Sequence, residues 1–276
     1  MNLYPIDTGT LKLDGGAMFG VVPKSLWSKV YPADENNLCT WAMRCLLVET
    51  GNRRLLIDNG AGDYHDEKFK RLYGLDQEGA LEKSLAAHGY TSDDITDVLL
   101  THLHFDHCGG SVKYSDDRSS LVPAFPKATY WISKTQWENA LHPNKREKAS
   151  FLRESFALLH ENNQLQFIER EGELFPGISL RIFNGHTDGQ VIPFIRYQNT
   201  TVVFTADLIP SSAHIPLPWI LSFDMQPMIT LKEKEEFLNA AADHQYVLFL
   251  EHDIFTECCT VQRTEKGVRV KDRLEL

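Results

Sequence analysis

Short hydrophobic runs recur along the chain, and most of them stop at a histidine or an aspartate. CLLVET, a turn at Gly51 and Asn52, and RRLLIDNG predict a hairpin whose second strand ends at Asp58, beside a glycine-rich turn from Asn59 to Gly62. EGALEKSLAAHG places Leu81, Leu85 and Ala86 on one helical face and stops at Gly89, a residue suited to the position just past a helix end. DVLLTH follows, apolar enough to be buried on both faces, and runs straight into HLHFDHCGG. The order returns later: ATYWI precedes a helix capped by Ser133, ISLRIF precedes NGHTDGQ, TVVFTAD precedes LIP, and YVLFL precedes EHD. Strands alternating with helices, with polar residues at the strand ends, predict two sheets packed face to face under helices, their polar ends meeting along one edge.

Composition narrows the function. Of 276 residues 42% are hydrophobic and 24% charged, an ordinary globular balance. The formal charge of −10 repels a phosphate backbone, so nucleic acid is not an expected partner and a nuclease would need the basic surface this chain lacks. No apolar run approaches the roughly 18 residues of a membrane span, and Asp7 stands where a secretion signal would carry cations, so a cytoplasmic protein without membrane contact is expected. Linker-like and repetitive stretches are absent, which favours one compact domain. The cysteines, Cys39, Cys45, Cys108, Cys258 and Cys259, are odd in number and form no CxxC pair, so reduced, buried thiols are expected.

The chemistry concentrates in THLHFDHCGG, which carries His102, His104, Asp106 and His107 within one short stretch after a strand. Imidazole and carboxylate donors this close converge on cations, and they suit zinc, manganese or iron. Without thiolates the set reads as an open, catalytic site rather than a closed structural zinc site. A lone histidine is ordinarily a surface or core residue, and His65, His88, His142, His160 and His244 take that reading.

H-x-H-x-D-H after a buried strand, with His186, Asp207 and His252 at later strand ends, resembles the metallo-β-lactamase superfamily over nearly the whole chain. GGAMFGVVPKSLW, THLHFDH, GHTDGQ, TADLIP and EHD are similar to its quorum-quenching N-acyl-homoserine lactonase branch. The resemblance implies an α/β fold, an αββα four-layer sandwich formed by residues 1–276 as a single domain, with a dinuclear site at one edge. It implies that His102, His104 and His186 hold one metal, that Asp106, His107 and His252 hold a second, and that Asp207 bridges them. The expected cofactors are two divalent ions, zinc first, with manganese or iron as alternatives. Taken singly, His186 also reads as a turn residue, Asp207 as a cap and His252 as a core-edge histidine. Asp58 resembles the aspartate that takes a hydrogen bond from a ligating imidazole, and it also reads as an Asx turn opening NGAG. Cys108 reads as a small buried thiol.

The reaction implied is hydrolysis. A hydroxide shared by the two ions attacks an acyl carbonyl, and Asp106 passes a proton to the leaving oxygen. A small-molecule lactone or ester is the expected substrate, N-acyl-homoserine lactones foremost. A phosphotriesterase or arylesterase of the same fold is the alternative, an iron-dependent oxidoreductase of that fold and a non-catalytic binding module are further ones, and a homodimer is left open. The lactonase branch carries a tyrosine three residues after the bridging aspartate, where this chain has Pro210. His214, a few residues on, is therefore a candidate donor to substrate, its other reading being a surface loop histidine. Met18, Phe19, Trp27, Phe105 and Trp219 are candidate pocket walls, with core packing as the other reading of each.

Overall fold

The computed structural model describes residues 1–276, which divide into two compact units: Met1–Leu11 with Ala42–Arg170, and Lys12–Trp41 with Glu171–Leu276. No helix is long and apolar enough to cross a membrane.

A six-stranded sheet underlies the first unit. Its strands are β1 (Asn2–Asp14), β2 (Leu38–Thr50), β3 (Arg53–Ile57), β4 (Asp97–Leu99), β7 (Thr129–Ser133) and β8 (Leu165–Ile168), in spatial order β1-β2-β3-β4-β7-β8. Between β4 and β7 the chain forms a two-stranded ribbon, β5 (Val112–Tyr114) with β6 (Leu121–Pro123). The predicted hairpin is β2 with β3, closed at Gly51, whose φ of 57° suits a residue without Cβ. The predicted helix spans Ala80–Ala87 and turns Leu85 into the core. Ala86, expected on the same face, is exposed, whereas Leu81, one turn before Leu85, packs against the same core.

Within this sheet β3, β4, β7 and β8 run parallel, and this register places the chemistry. Ile57 pairs with Leu99, and the Asp58 N–H donates to the Leu99 carbonyl at 2.9 Å. Asp58 and the Thr101–His102 segment therefore leave the sheet side by side at its carboxyl edge, where open α/β sheets place ligands. Asp58 takes a left-handed backbone, φ 56°, which an aspartate adopts at a cost that its carboxylate's contacts offset.

The second unit has seven strands in the order β15-β14-β13-β12-β11-β10-β9: β9 (Gly172–Phe175), β10 (Ile178–Phe183), β11 (Gln190–Tyr197), β12 (Thr200–Phe204), β13 (Val247–Phe249), β14 (Cys258–Thr264) and β15 (Gly267–Leu274). Only β12 and β13 pair in parallel, joined through the helix Pro227–His244. Phe204 faces Phe249 in that register, and the Thr205 hydroxyl donates to the Phe249 carbonyl at 2.9 Å. Asp207 and His252 thus follow adjacent strand ends, while Phe183 paired with Gln190 closes the loop that carries His186.

The double glycine after the histidine cluster is a packing requirement. A Cβ on Gly109 would lie 2.0 Å from the Ala61 carbonyl oxygen, and one on Gly110 2.1 Å from that of Asn59. Gly109→Ala is expected to cost about 1–3 kcal/mol or more through forced backbone displacement. A thermal-unfolding midpoint within a degree of wild type would show that the Asn59–Gly62 turn yields freely.

Candidate metal centre

The donors fall into two sets, one in each unit. In the first, Asp58 is fully buried and accepts three hydrogen bonds: the Thr101 N–H at 2.7 Å, the Thr101 hydroxyl at 2.6 Å and His107 Nδ1 at 3.1 Å. With its proton committed to Asp58, the Thr101 oxygen accepts from His102 Nδ1 at 3.1 Å. One carboxylate so orients two imidazoles, directly and through a hydroxyl. On His104 the outer nitrogen is instead Nε2, which lies 3.1 Å from Glu147 Oε1.

The nitrogens left over converge. His102 Nε2 and His104 Nδ1 are 3.1 Å apart, and His107 Nε2 lies 3.9 Å from Asp106 Oδ2. Two donors about 2.0–2.1 Å from one tetrahedral ion stand about 3.3 Å apart, so the first spacing fits a shared cation. These rings are buried, whereas the Asp106 carboxylate keeps 13% of its surface exposed.

The second set repeats the arrangement. His186 Nδ1 is held by buried Asp224 at 3.0 Å, and His186 Nε2 lies 3.1 Å from Asp207 Oδ2. His252 Nε2 lies 3.1 Å from the other Asp207 oxygen, Oδ1. The backbone of His252 is pinned at both ends, its N–H donating to the Pro210 carbonyl at 3.1 Å and its carbonyl accepting from the Tyr31 hydroxyl at 3.3 Å. Pro210 therefore does place a ligand candidate, through its carbonyl rather than a side chain.

The other predicted residues sort by burial. His214, expected to face substrate, lies in the interior. It is 1% exposed, Nδ1 pairs with the Ser211 hydroxyl at 2.7 Å, Nε2 donates to the Met18 carbonyl at 2.8 Å, and the ring stacks on Phe19 at 4.7 Å. Met18, Phe19 and Trp27 are likewise closed off from solvent, Phe19 lying flat against Trp27 at 5.2 Å, so they pack a core rather than wall an open cleft. Trp219 is half-buried with its edge on Phe19. Phe105 is buried against Phe69 and Tyr73, at 5.1 and 4.6 Å. Phe69, with Tyr64, His65, Leu72 and Leu152, lines a cavity of about 380 Å³. Burial, then the Asp106 charge, pushes the Tyr73 phenol up, so it stays protonated. Cys108 is buried, donates to the Leu103 carbonyl, and has its thiol pushed up by burial.

Glu147, Asp224 and Thr101 were not legible as site residues. Glu147 and Asp224 stand 43 and 38 residues from the histidines they hold, in KREK and SFDMQ, which carry no motif.

Strand ends that present imidazoles and carboxylates, with His102, His104, His107 and His186 each oriented from behind, define a metal-dependent α/β enzyme. Residues 44–252 match the model of the metallo-β-lactamase superfamily, and the chain belongs to that superfamily and has its fold. It is a metal-dependent hydrolase of that superfamily. A solved structure of a probable metal-dependent hydrolase from Staphylococcus aureus superposes with a TM-score of 0.87 at 31% identity, covering 99% of this chain and 98% of the other. An N-acyl homoserine lactonase from Bacillus thuringiensis is 26% identical over 268 residues, 92% of this chain and 94% of the relative. A dizinc quorum-quenching lactonase, AidC, shares the fold at a TM-score of 0.80 and 23% identity, over 99% of this chain and 95% of AidC.

Burial pushes the His214 imidazole down from 6.5 to about 3. Below pH 6.5 the unfolded chain takes up a proton there that the folded chain refuses until about pH 3, so this contribution to stability is whole above 6.5 and is lost as pH falls through that window. In metal-free protein, His214→Gln is expected to lower stability at pH 7.5, by about 1–3 kcal/mol for each buried partner left unpaired, and to flatten the acid-side loss. An unchanged unfolding midpoint with a lowered kcat/KM would return His214 to substrate contact.

Proposed function

We propose that this metal-dependent hydrolase opens lactones or esters at a pair of divalent ions, with N-acyl-homoserine lactones the leading substrate class. Asp207 carries the reading: each of its oxygens faces a different imidazole at 3.1 Å, the disposition of a carboxylate shared by two cations. The two units then act as one domain, as the family match across both supports. His102, His104 and His186 would hold one ion, Asp106, His107 and His252 the other, and Asp207 would be shared between them, with zinc the expected metal. When bound, two such ions acidify a shared water and polarise a substrate carbonyl.

Asp106 moves the proton. It is the most exposed of these donors, 13% against 9% for Asp207, and hands the proton taken from the attacking water to the leaving oxygen. Asp58, Thr101 and Asp224 hold the rings still, so that little reorganisation accompanies the reaction. The cavity beside Phe105, with Phe69, Leu72 and Leu152 in its walls, suits the acyl chain of a lactone. Relatives named N-acyl homoserine lactonase that align over 92% of the chain support the same class. Five buried thiols outside any disulfide suit the reducing cytoplasm.

Elemental analysis of metal-replete protein is expected to find about two ions per chain. A parallel rate screen should place acyl-homoserine lactones above aryl esters and phosphotriesters; the reverse order would assign the site to esterase or phosphotriesterase chemistry. Asp207→Asn is expected to lower kcat about 10²-fold or more while the apo-protein unfolds near the wild-type temperature. Near-normal turnover with both ions retained would make Asp207 a cap and remove the bridge.

A further inference from the structure

His104 differs from the other oriented rings. His102, His107 and His186 are held from behind at Nδ1, whereas His104 is held at Nε2, so its inward atom is Nδ1. Its partner is Glu147, which is 2% exposed, an expensive place for a carboxylate unless its oxygens are occupied. They are: Oε1 faces His104, and Oε2 accepts the Asn139 amide at 3.2 Å and the Asn144 amide at 3.0 Å. The Asn144 amide cannot turn over without loss, because its oxygen accepts the N–H groups of Arg146 at 2.9 Å and Glu147 at 3.0 Å. Phe151, from the same segment, packs on the His104 ring at 5.1 Å.

We infer that Glu147 is the positioning residue of the His102–His104 cation site, selecting the His104 tautomer with its proton on Nε2 and leaving the Nδ1 lone pair for the ion. The inference rests on the two-ion reading above. A carboxylate has only acceptors, so an imidazole nitrogen 3.1 Å away must carry a proton. A neutral imidazole has one, so Nδ1 is bare, and it is the atom that meets His102 Nε2 at 3.1 Å. The negative charge also raises the basicity of the ring as a ligand. The segment from Asn139 to Phe151 thereby determines one cation site and leaves His107 to Asp58.

Glu147→Gln keeps the shape and inverts the choice. Two amide donors beside Oε2 hold the glutamine oxygen there, its NH₂ turns to His104 Nε2, and that nitrogen must accept, which moves the ring proton to Nδ1. Long-range ¹H–¹⁵N spectra of metal-free protein should show the His104 proton on Nε2 in wild type and on Nδ1 in the variant. Under a graded chelator challenge the variant should lose one ion at about 10- to 100-fold lower chelator concentration than wild type and keep the other. Asn139→Ala, which loosens the clamp but retains the carboxylate, should keep the wild-type tautomer, and it covers the case in which Glu147→Gln folds poorly. An unchanged tautomer in Glu147→Gln, or wild-type retention of both ions with only a lower unfolding temperature, would reduce Glu147 to a structural role. Wild-type protein that takes up fewer than two ions would instead overturn the two-ion reading, while the tautomer comparison in metal-free protein still judges Glu147.

Discussion

An imidazole can bind a cation with either nitrogen but with only one at a time, and a free ring exchanges its proton between them. Four candidate ligand rings, three in the first unit and one in the second, lose that freedom through a partner behind them: Thr101 for His102, Glu147 for His104, Asp58 for His107 and Asp224 for His186. Three of the partners are buried carboxylates and the fourth is a hydroxyl whose proton is taken by one of them. Burying an unpaired carboxylate costs several kcal/mol, so each is worth keeping only where its hydrogen bonds are complete. The architecture around the site is largely the means of completing them.

Asp58 shows how backbone and chemistry are joined. Parallel pairing of β3 with β4 sets its oxygens against the N–H and hydroxyl of Thr101, and a strained left-handed turn aims what remains at His107. The close approach of Gly109 and Gly110 to the turn after Asp58 locks the two strand ends together. These glycines serve packing, and the histidines beside them inherit a rigid support.

In the second unit the long helix Pro227–His244 plays the corresponding part. Glu233 accepts the N–H groups of Asn184 and Gly185 at 2.8 and 2.9 Å, and Gly185 passes so near Thr230 that a Cβ would lie 2.4 Å from its nitrogen. The loop bearing His186 is thus gripped along the helix flank. Next to Glu233, buried Lys234 donates to the carbonyls of Pro216, Leu217 and Trp219, and burial lowers it to about 7 against the opposing charge of Asp224. The helix holds the histidine loop with a carboxylate and the proline-rich loop with an ammonium.

The strand ends and the inward donors were legible in the residues, because hydrophobic period and donor spacing are local properties: Asp58, His102, His104, Asp106 and His107 lie in or just after runs whose burial the sequence itself states. His186, Asp207 and His252 were legible by the same rule, each following a strand. Of what lay behind the rings, only Asp58 was legible. Glu147 and Asp224 sit in polar stretches indistinguishable from surface, and only folding brings them across some forty positions to their histidines. The direction of the His214 side chain was not legible either. Its position after Asp207 suggested a group facing substrate, but side-chain direction in a loop is decided by what packs on it, and here Phe19 and the Met18 carbonyl draw the ring inward. Sequence by itself determined which atoms could meet a cation; tertiary structure decided which nitrogen of His104, His107 and His186 is committed to a buried carboxylate, because each of those partners is a neighbour the chain reaches only after it has folded.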